Sequence, residues 1–393
     1  MSFSVTRYLR FLAAFSLLVI AQPAQPARCN AAAVFEKTKA ALAEKRYDEA
    51  AQFLDELRMC TNLSPVESFE LGWLYGRSRH FDTALGVFNT VPPDIPDQLT
   101  HAYAIALSQF ELAEYKETIA TLQTLRSKAA LDEKSANLLA VSLSKLGQYR
   151  EAYAVLSDQM QANPADLTSY LNLVTVCAEG GDFKAAADIA SRATHLFPAA
   201  PEVFIVRGAA NTLLGDLDAA YRDFARSVEL APARPDAHFF LALTDYKEGK
   251  FAEGITILRG AIGQGLRDSD LHYLLAECLL KANAADTETA LRELNLAVNL
   301  NATSTAARTL RGKLLLDAGH PAQAVVDLEF ANQHEPGSRS VNYNLARAYR
   351  ALGRGAEAQE IFDGLRGQSS NALVEMSDRR LNKALADKGN QKP

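Results

Sequence analysis

The chain has 393 residues, of which 48% are hydrophobic and 22% are charged. This balance is typical of a folded protein rather than a disordered one. Its 41 basic and 47 acidic residues leave a net charge of −6. Because nucleic-acid phosphates bind to basic surfaces, this acidity argues against nucleic acid as a partner.

The N-terminus has the pattern of a secretion signal. Two arginines precede a short apolar segment at residues 11–20, and small residues and prolines follow it. We expect cleavage after Ala21, with Ala24 and Ala27 as alternative sites, so that residues 1–21 form a signal peptide. The mature protein is then exported to the periplasm or the extracellular space without a membrane span. The alternative is an uncleaved anchor, but the apolar segment is shorter than the roughly 20 residues that a bilayer requires.

The four cysteines fit an exported protein. Cys29 precedes the first predicted helix and Cys60 ends the second, so an antiparallel hairpin would bring them together. A disulfide closing this loop would stabilise the terminal hairpin by roughly 3 kcal/mol, and the alternative is two free thiols. Cys177 and Cys278 lie on distant apolar stripes and are predicted to be unpaired core residues.

The middle of the chain repeats itself every 34 residues. Self-similarity at a fixed period of this length indicates a stack of one supersecondary unit. The residues that recur at this spacing are Gly147, Gly181, Gly215 and Gly249, together with Pro164, Pro198 and Pro232.

Each unit has the pattern of a helical hairpin. From Tyr170 onward, apolar residues recur at i, i+3, i+4 and i+7, which predicts an amphipathic helix. Gly181 then interrupts the pattern, and a second stripe, mostly alanine, continues as far as Pro198. Neither helix can bury its stripe alone, so neighbouring hairpins must complete the core.

These motifs resemble the tetratricopeptide repeat family, whose unit follows the pattern W-x2-L-G-x2-Y…A-x3-F…P. The copy at residues 65–92 has Leu71-Gly72-x-x-Tyr75 and then Ala84-x3-Phe88. Further copies extend the resemblance over residues 31–366 as about ten units. The first unit lacks the glycine at its turn, and Gly254 replaces the usual alanine.

The resemblance implies an all-α fold, a right-handed superhelical solenoid of about ten tetratricopeptide-type hairpins over residues 28–366. Between Asn371 and Ala386 leucines and a methionine recur among charged residues, which predicts one amphipathic helix. Residues 367–393 are therefore interpreted as a capping helix followed by a disordered tail. A helix that binds a partner is the alternative.

The sequence contains no H-E-x-x-H, no G-x-S-x-G, no P-loop and no dinucleotide-binding glycine motif. Uninterrupted repeats also leave no room for a catalytic domain. We therefore expect a protein that is not an enzyme and that has no metal or cofactor.

In this family the first helices of the hairpins line a concave groove, which implies where a partner binds. Residues one place after the buried stripe are rotated by about 100° toward that groove. There they are rich in aromatic and arginine side chains, which are common at binding hot spots. The candidate groove residues are Phe69, Trp73, Arg77, Tyr103, Phe110, Phe239, Tyr246, Tyr273, Tyr343 and Arg347. The alternative is that these rings pack against neighbouring repeats.

We interpret the chain as a non-catalytic protein–protein interaction scaffold outside the cytoplasm, with a peptide or partner protein in its groove. The alternative is a glycan-binding accessory of exopolysaccharide export or cell-envelope assembly, in which the groove rings stack on sugars. Family members tied to exopolysaccharide export suggest that second function. An enzyme with an unrecognised site is the weakest of the three hypotheses.

Overall fold

The computed structural model describes residues 30–58, 63–128, 130–283 and 286–365. These ranges contain twenty α-helices and no strand, which confirms the prediction of an all-α repeat solenoid. The predicted signal peptide, the Cys29–Cys60 disulfide and the capping helix with its tail lie outside the described residues. Two compact units meet in the chain at Ala113 and Glu114, and each is described by itself.

Unit 1 consists of two hairpins and one further helix. The hairpins pair α1 with α2 and α3 with α4, and the first helices α1 and α3 also touch each other. Helix α3 begins with a capping box, in which the Ser64 hydroxyl accepts the Glu67 N–H and the Glu67 carboxylate accepts the Ser64 N–H. The helices are α1 Ala31–Ala43, α2 Tyr47–Arg58, α3 Pro65–Arg77, α4 Phe81–Phe88 and α5 Gln98–Glu111.

Unit 2 begins with α6, and from α7 onward consecutive helices form seven hairpins in the described residues. Its first helices are α7 Glu133–Lys145, α9 Leu167–Glu179, α11 Pro201–Leu214, α13 Pro235–Lys247, α15 Ser269–Ala282, α17 Thr305–Asp317 and α19 Arg339–Ala351. Its other helices are α6 Tyr115–Arg126, α8 Tyr149–Ala162, α10 Phe183–Leu196, α12 Leu217–Leu230, α14 Phe251–Gly263, α16 Thr287–Leu300, α18 Pro321–His334 and α20 Gly355–Gly364.

The turns inside the hairpins explain the glycine period. All four predicted turn glycines adopt left-handed backbone angles, with φ between 73° and 83°. In unit 1 the turns of both hairpins are made without glycine, by Lys45 and Arg79, at φ of 58° and 67°. A side chain in this region costs about 1 kcal/mol or more, so these turns depend on the packing of the helices around them.

The two helices of a hairpin have different neighbours in unit 2. First helices of adjacent hairpins touch directly, at α7–α9, α9–α11, α13–α15, α15–α17 and α17–α19. No comparable contact joins the second helices of adjacent hairpins in the part of the chain that the structure describes. The first helices therefore form an inner row, and the second helices are spread apart on the outer side.

The core lies between the two rows and is built from small residues facing large ones. Ala186, Ala220 and Ala324 on second helices are fully buried. Cys177 and Cys278 are free and buried, as predicted. Small side chains at these crossings let the helix axes approach closely enough for the larger residues to interdigitate.

Candidate functional site

The predicted rings of unit 1 come together around Trp73 of α3. Its indole lies 6.3 Å from the Phe69 ring, 6.0 Å from Phe88 and 6.5 Å from Tyr103, measured between ring centroids. Phe69 is buried, with 7% of its surface exposed, so it belongs to the core of the hairpin. Trp73 and Tyr103 are half-buried and keep part of their surface open to a partner.

The remaining predicted residues of unit 1 lie at the ends of the same helices. Phe110 is half-buried two turns after Tyr103 on α5, and Arg77 is exposed in the last turn of α3. The Glu70 carboxylate, also on α3, is bound by Lys39 of α1. We refer to Trp73, Tyr103, Phe110 and Arg77 as the unit 1 patch.

Two of the predicted rings in unit 2 are core residues. Phe239 is fully buried and packs edge-on against Phe240 at 5.5 Å, and Phe240 in turn stacks on Phe224 at 5.3 Å. Tyr273 is 1% exposed, and its hydroxyl donates to the Glu277 carboxylate at 3.1 Å. Side chains buried to this extent contribute to packing and offer a partner no contact surface.

Next to Tyr273, the half-buried Tyr246 completes a cluster of two phenols and one carboxylate. Burial raises the pKa of both tyrosines, and the nearby Glu277 charge raises them further. Burial also raises the pKa of Glu277, although the hydrogen bond from Tyr273 opposes that shift. At neutral pH both phenols are therefore protonated, and they can act as hydrogen-bond donors.

Tyr343 on α19 is the most open of the predicted residues in unit 2, and the half-buried Arg347 follows it by one turn. Tyr343 is 52% exposed, and its ring packs edge-on against Phe362 at 6.0 Å. The Arg347 guanidinium lies 5.9 Å from the Tyr343 ring centroid and donates to the Asp317 carboxylate at 2.7 Å. The two side chains thus form one surface with an aromatic face and a partly neutralised cation.

Polar residues elsewhere on the inner row bond to each other. The Asn172 amide of α9 donates to the Asn137 side-chain oxygen of α7 at 2.8 Å, and both residues are buried. Lys145 faces the Glu179 carboxylate at 3.6 Å. These contacts join neighbouring first helices.

A buried ion pair that was not predicted from the sequence joins the two helices of the α11–α12 hairpin. Arg207 donates from Nε to both carboxylate oxygens of Asp223 at 3.0 Å, and from Nη1 to the Thr194 hydroxyl at 2.8 Å. Asn211 donates to the same carboxylate at 3.1 Å. Burial raises the pKa of Asp223, and these hydrogen bonds oppose that shift.

The α17–α18 hairpin has the same pair. Arg311 donates to both oxygens of Asp327 at 2.7 Å, and Arg308 donates to it at 3.0 Å. In both hairpins the aspartate follows the bidentate arginine by 16 residues. That spacing could have revealed the pair, because it links the first helix to the second across the turn.

Beside the first of these pairs lies a cleft of about 510 Å³ on the outer side, between α10, α11 and α12. We call it the outer cleft. Its lining residues are Ser191, Phe204, Arg207, Asn211, Ala219, Arg222, Asp223 and Arg226.

The described residues contain no group of three or more histidine, cysteine or acidic side chains that could hold a metal ion. Among the described helices, none combines the length and the apolar character that a membrane crossing requires.

Comparison with known proteins agrees with this architecture. Two tetratricopeptide repeat models match the sequence, one at residues 137–201 and the other at residues 212–278 and 315–376. No curated protein matches it significantly.

Among solved structures, a tetratricopeptide repeat protein from Parabacteroides merdae is 16% identical, with a TM-score of 0.50 over 64% of this chain and 98% of its own. Yeast Tom70 is 17% identical, with a TM-score of 0.42 over 91% of this chain and 96% of its own. YrrB, a tetratricopeptide repeat protein with an unusual peptide-binding site, is 22% identical, with a TM-score of 0.37 over 51% of this chain and 98% of its own.

The first of these likenesses shows a shared fold. Together with the sequence models, the helical hairpins and the left-handed glycine turns, it leads to one conclusion. The chain belongs to the tetratricopeptide repeat family.

Proposed function

We propose that the protein is a non-catalytic scaffold, exported from the cytoplasm, that binds a peptide or partner protein through its first helices. Tetratricopeptide repeat proteins are generally interaction scaffolds, and the fold supports a protein partner. The partner's binding site in this proposal is the unit 1 patch.

The observation that carries this proposal is the half-exposed Trp73. Its ring is held by Phe69, Phe88 and Tyr103, so little side-chain entropy remains to be lost on binding. A rigid aromatic side chain with an open face and a neighbouring arginine, Arg77, is the composition typical of binding hot spots.

Export is supported by the residue pattern alone. The arginines, the apolar segment and the small residues before Cys29 have the order of a cleavable signal. Chain recovered from the exported fraction should then have the intact mass expected for cleavage after Ala21, Ala24 or Ala27. A full-length mass would contradict this part of the proposal.

The test of the patch uses the full mature chain, crosslinked in the exported fraction to identify the bound molecule. Because Trp73 is the single tryptophan among 393 residues, its fluorescence reports directly on the patch. Adding the purified partner should shift that emission, and Trp73→Ala should weaken binding by about 30-fold, or about 2 kcal/mol.

Tyr153→Ala is the matched control, because Tyr153 is 44% exposed on the second helix α8. It should leave binding unchanged. Trp73→Phe keeps a ring in the cluster and should restore much of the affinity, which separates a binding defect from a folding defect. Unchanged emission together with equal binding by Trp73→Ala would place the partner elsewhere, and a captured polysaccharide would favour the glycan alternative.

A further inference from the structure

We propose that the outer cleft is a second binding site, which takes the carboxylate side chains of an acidic peptide segment. Its lining residues come from the first helix α11 and from the second helices α10 and α12, and none of them belongs to the unit 1 patch.

The cleft is lined by more positive than negative side chains. Asp223 is the acidic residue of the lining, and its carboxylate is already bound by Arg207 and Asn211. Arg222 and Arg226 lie one turn apart on α12 and contribute two further positive charges. In a chain whose net charge is −6, this is a local concentration of positive charge.

These two arginines are available to a ligand. Among the described residues no carboxylate forms an ion pair with Arg222. Arg226 pairs with Glu229 at 2.8 Å, but 48% and 65% of the two side chains are exposed. An ion pair this exposed contributes little, so an incoming carboxylate can replace Glu229.

The chemistry of the lining favours a carboxylate on an apolar stem. A guanidinium binds a carboxylate through two parallel hydrogen bonds, and two guanidiniums one turn apart can bind adjacent carboxylates. Ala219 supplies apolar surface for the methylene groups of a glutamate, and the small exposed part of Phe204, 9% of its surface, adds to it. A volume of about 510 Å³ exceeds that of one side chain and suits a short peptide segment.

The hairpin with the second arginine–aspartate pair shows that this opening is not a general consequence of the fold. There Val326, one residue before Asp327, and Phe330, three residues after it, take the positions of Arg222 and Arg226. Arg308 lies over the Phe330 ring at 4.1 Å. Arg308 also donates to the Ala302 carbonyl at 2.7 Å. The space beside that pair is thus occupied by the protein's own cation.

The experiment measures fluorescence anisotropy of a labelled, C-terminally amidated hexaglutamate peptide with the full mature chain. Hexaglutamine and hexalysine peptides serve as probes of the same length. We expect saturable, salt-sensitive binding of hexaglutamate alone, and at least about tenfold weaker binding by the double variant Arg222→Gln/Arg226→Gln.

The matched control is Arg150→Gln/Arg259→Gln, which removes two exposed arginines from the second helices α8 and α14 and gives the same net charge. It should change the affinity less than about twofold, and both double variants should melt like the parent. Absence of saturable hexaglutamate binding overturns the proposal. So does retained binding by the cleft variant, or an equal loss in both variants, which would mean general attraction to positive charge.

Discussion

The α11–α12 and α17–α18 hairpins contain the same buried arginine–aspartate pair and use it differently. In the first, one arginine and one amide hold Asp223, and the surface beside them opens into the outer cleft. In the second, two arginines hold Asp327, and one of them also covers Phe330. The pair joins the two helices in both places, whereas the residues around it determine whether a ligand can enter.

A third hairpin, α13–α14, lies between these two and shows what the pair contributes. It has a buried aspartate on its first helix, Asp245, with 2% of its surface exposed. No arginine binds it, and its Oδ2 atom has no hydrogen-bond partner among the described residues. This hairpin therefore accommodates a buried carboxylate without a bound cation, but the charge of that carboxylate weakens the fold.

The largest effect we predict is the loss of Asp327. The side chains of Arg308 and Arg311 are 15% and 18% exposed, so Asp327→Ala leaves two mostly buried cations without their carboxylate. We expect the free energy of unfolding to fall by about 3–5 kcal/mol in urea denaturation. Asp223→Ala should cost less, because it frees one arginine whose side chain is 25% exposed. An equal or larger loss of stability for Asp223→Ala would show that burial of the arginines does not determine how much each pair contributes.

The second-largest effect is a gain in stability when Asp245 is replaced. Burial raises the pKa of this carboxyl from its ordinary 3.8 to about 6, with Glu253 and Glu248 adding to the shift and Lys250 opposing it. Because the folded state binds this proton more tightly than the unfolded state, the Asp245 carboxyl favours folding most below about pH 3.8. That contribution is lost as the pH rises through about 6. Asp245→Asn should therefore stabilise the protein by roughly 1–3 kcal/mol at pH 7.5.

The pH dependence provides the check on that interpretation. The advantage of Asp245→Asn should shrink as denaturation is repeated toward pH 4, where the native carboxyl is itself protonated. Asp188→Asn, which changes an exposed aspartate on α10, should have no comparable effect at any pH. A constant difference between Asp245→Asn and the parent across this range would rule out ionisation as its cause.

The smallest effect concerns Gly254, the glycine that replaces the usual alanine on α14. A Cβ here would lie 3.4 Å from the Ala242 carbonyl oxygen and from the Cys278 sulfur, which is ordinary contact. Gly254→Ala should stabilise the hairpin by about 0.5–1 kcal/mol in urea denaturation, because it lowers the entropy of the unfolded chain.

Gly208→Ala is the opposing control, in the hairpin of the outer cleft. Its Cβ would lie 2.7 Å from the Phe224 ring, so the ring must shift and the variant should be destabilised. If both substitutions stabilised the protein, helix propensity rather than packing would dominate at these crossings.

Much of the fold could be predicted because its signals are local. The turn glycines recur where a left-handed residue is needed, and that requirement depends on the backbone of one position. The helices follow from apolar periodicity, and the capping box of α3 follows from Ser64 and Glu67. The arginine–aspartate pairs also had a signal, their common spacing, but their burial did not follow from it.

The candidate groove could be predicted only in part. Trp73 and Tyr103 do lie together and half-exposed, whereas Phe239 and Tyr273 are core residues. The residue after a buried stripe points into the groove only where the helix has a clear solvent face. On α9 every residue from Ser169 to Ala178 is buried, and on α13 every residue from Ala237 to Asp245 is buried.

The sequence by itself determined the repeat, the helical hairpins and their turns, because each depends on residues close together in the chain. Tertiary structure alone decided which rings are accessible and where a cleft opens. A first helix contacts its own second helix, the second helix before it and, in most of the stack, neighbouring first helices. Its exposure is therefore set by residues far away in the sequence, and no periodicity within the helix records them.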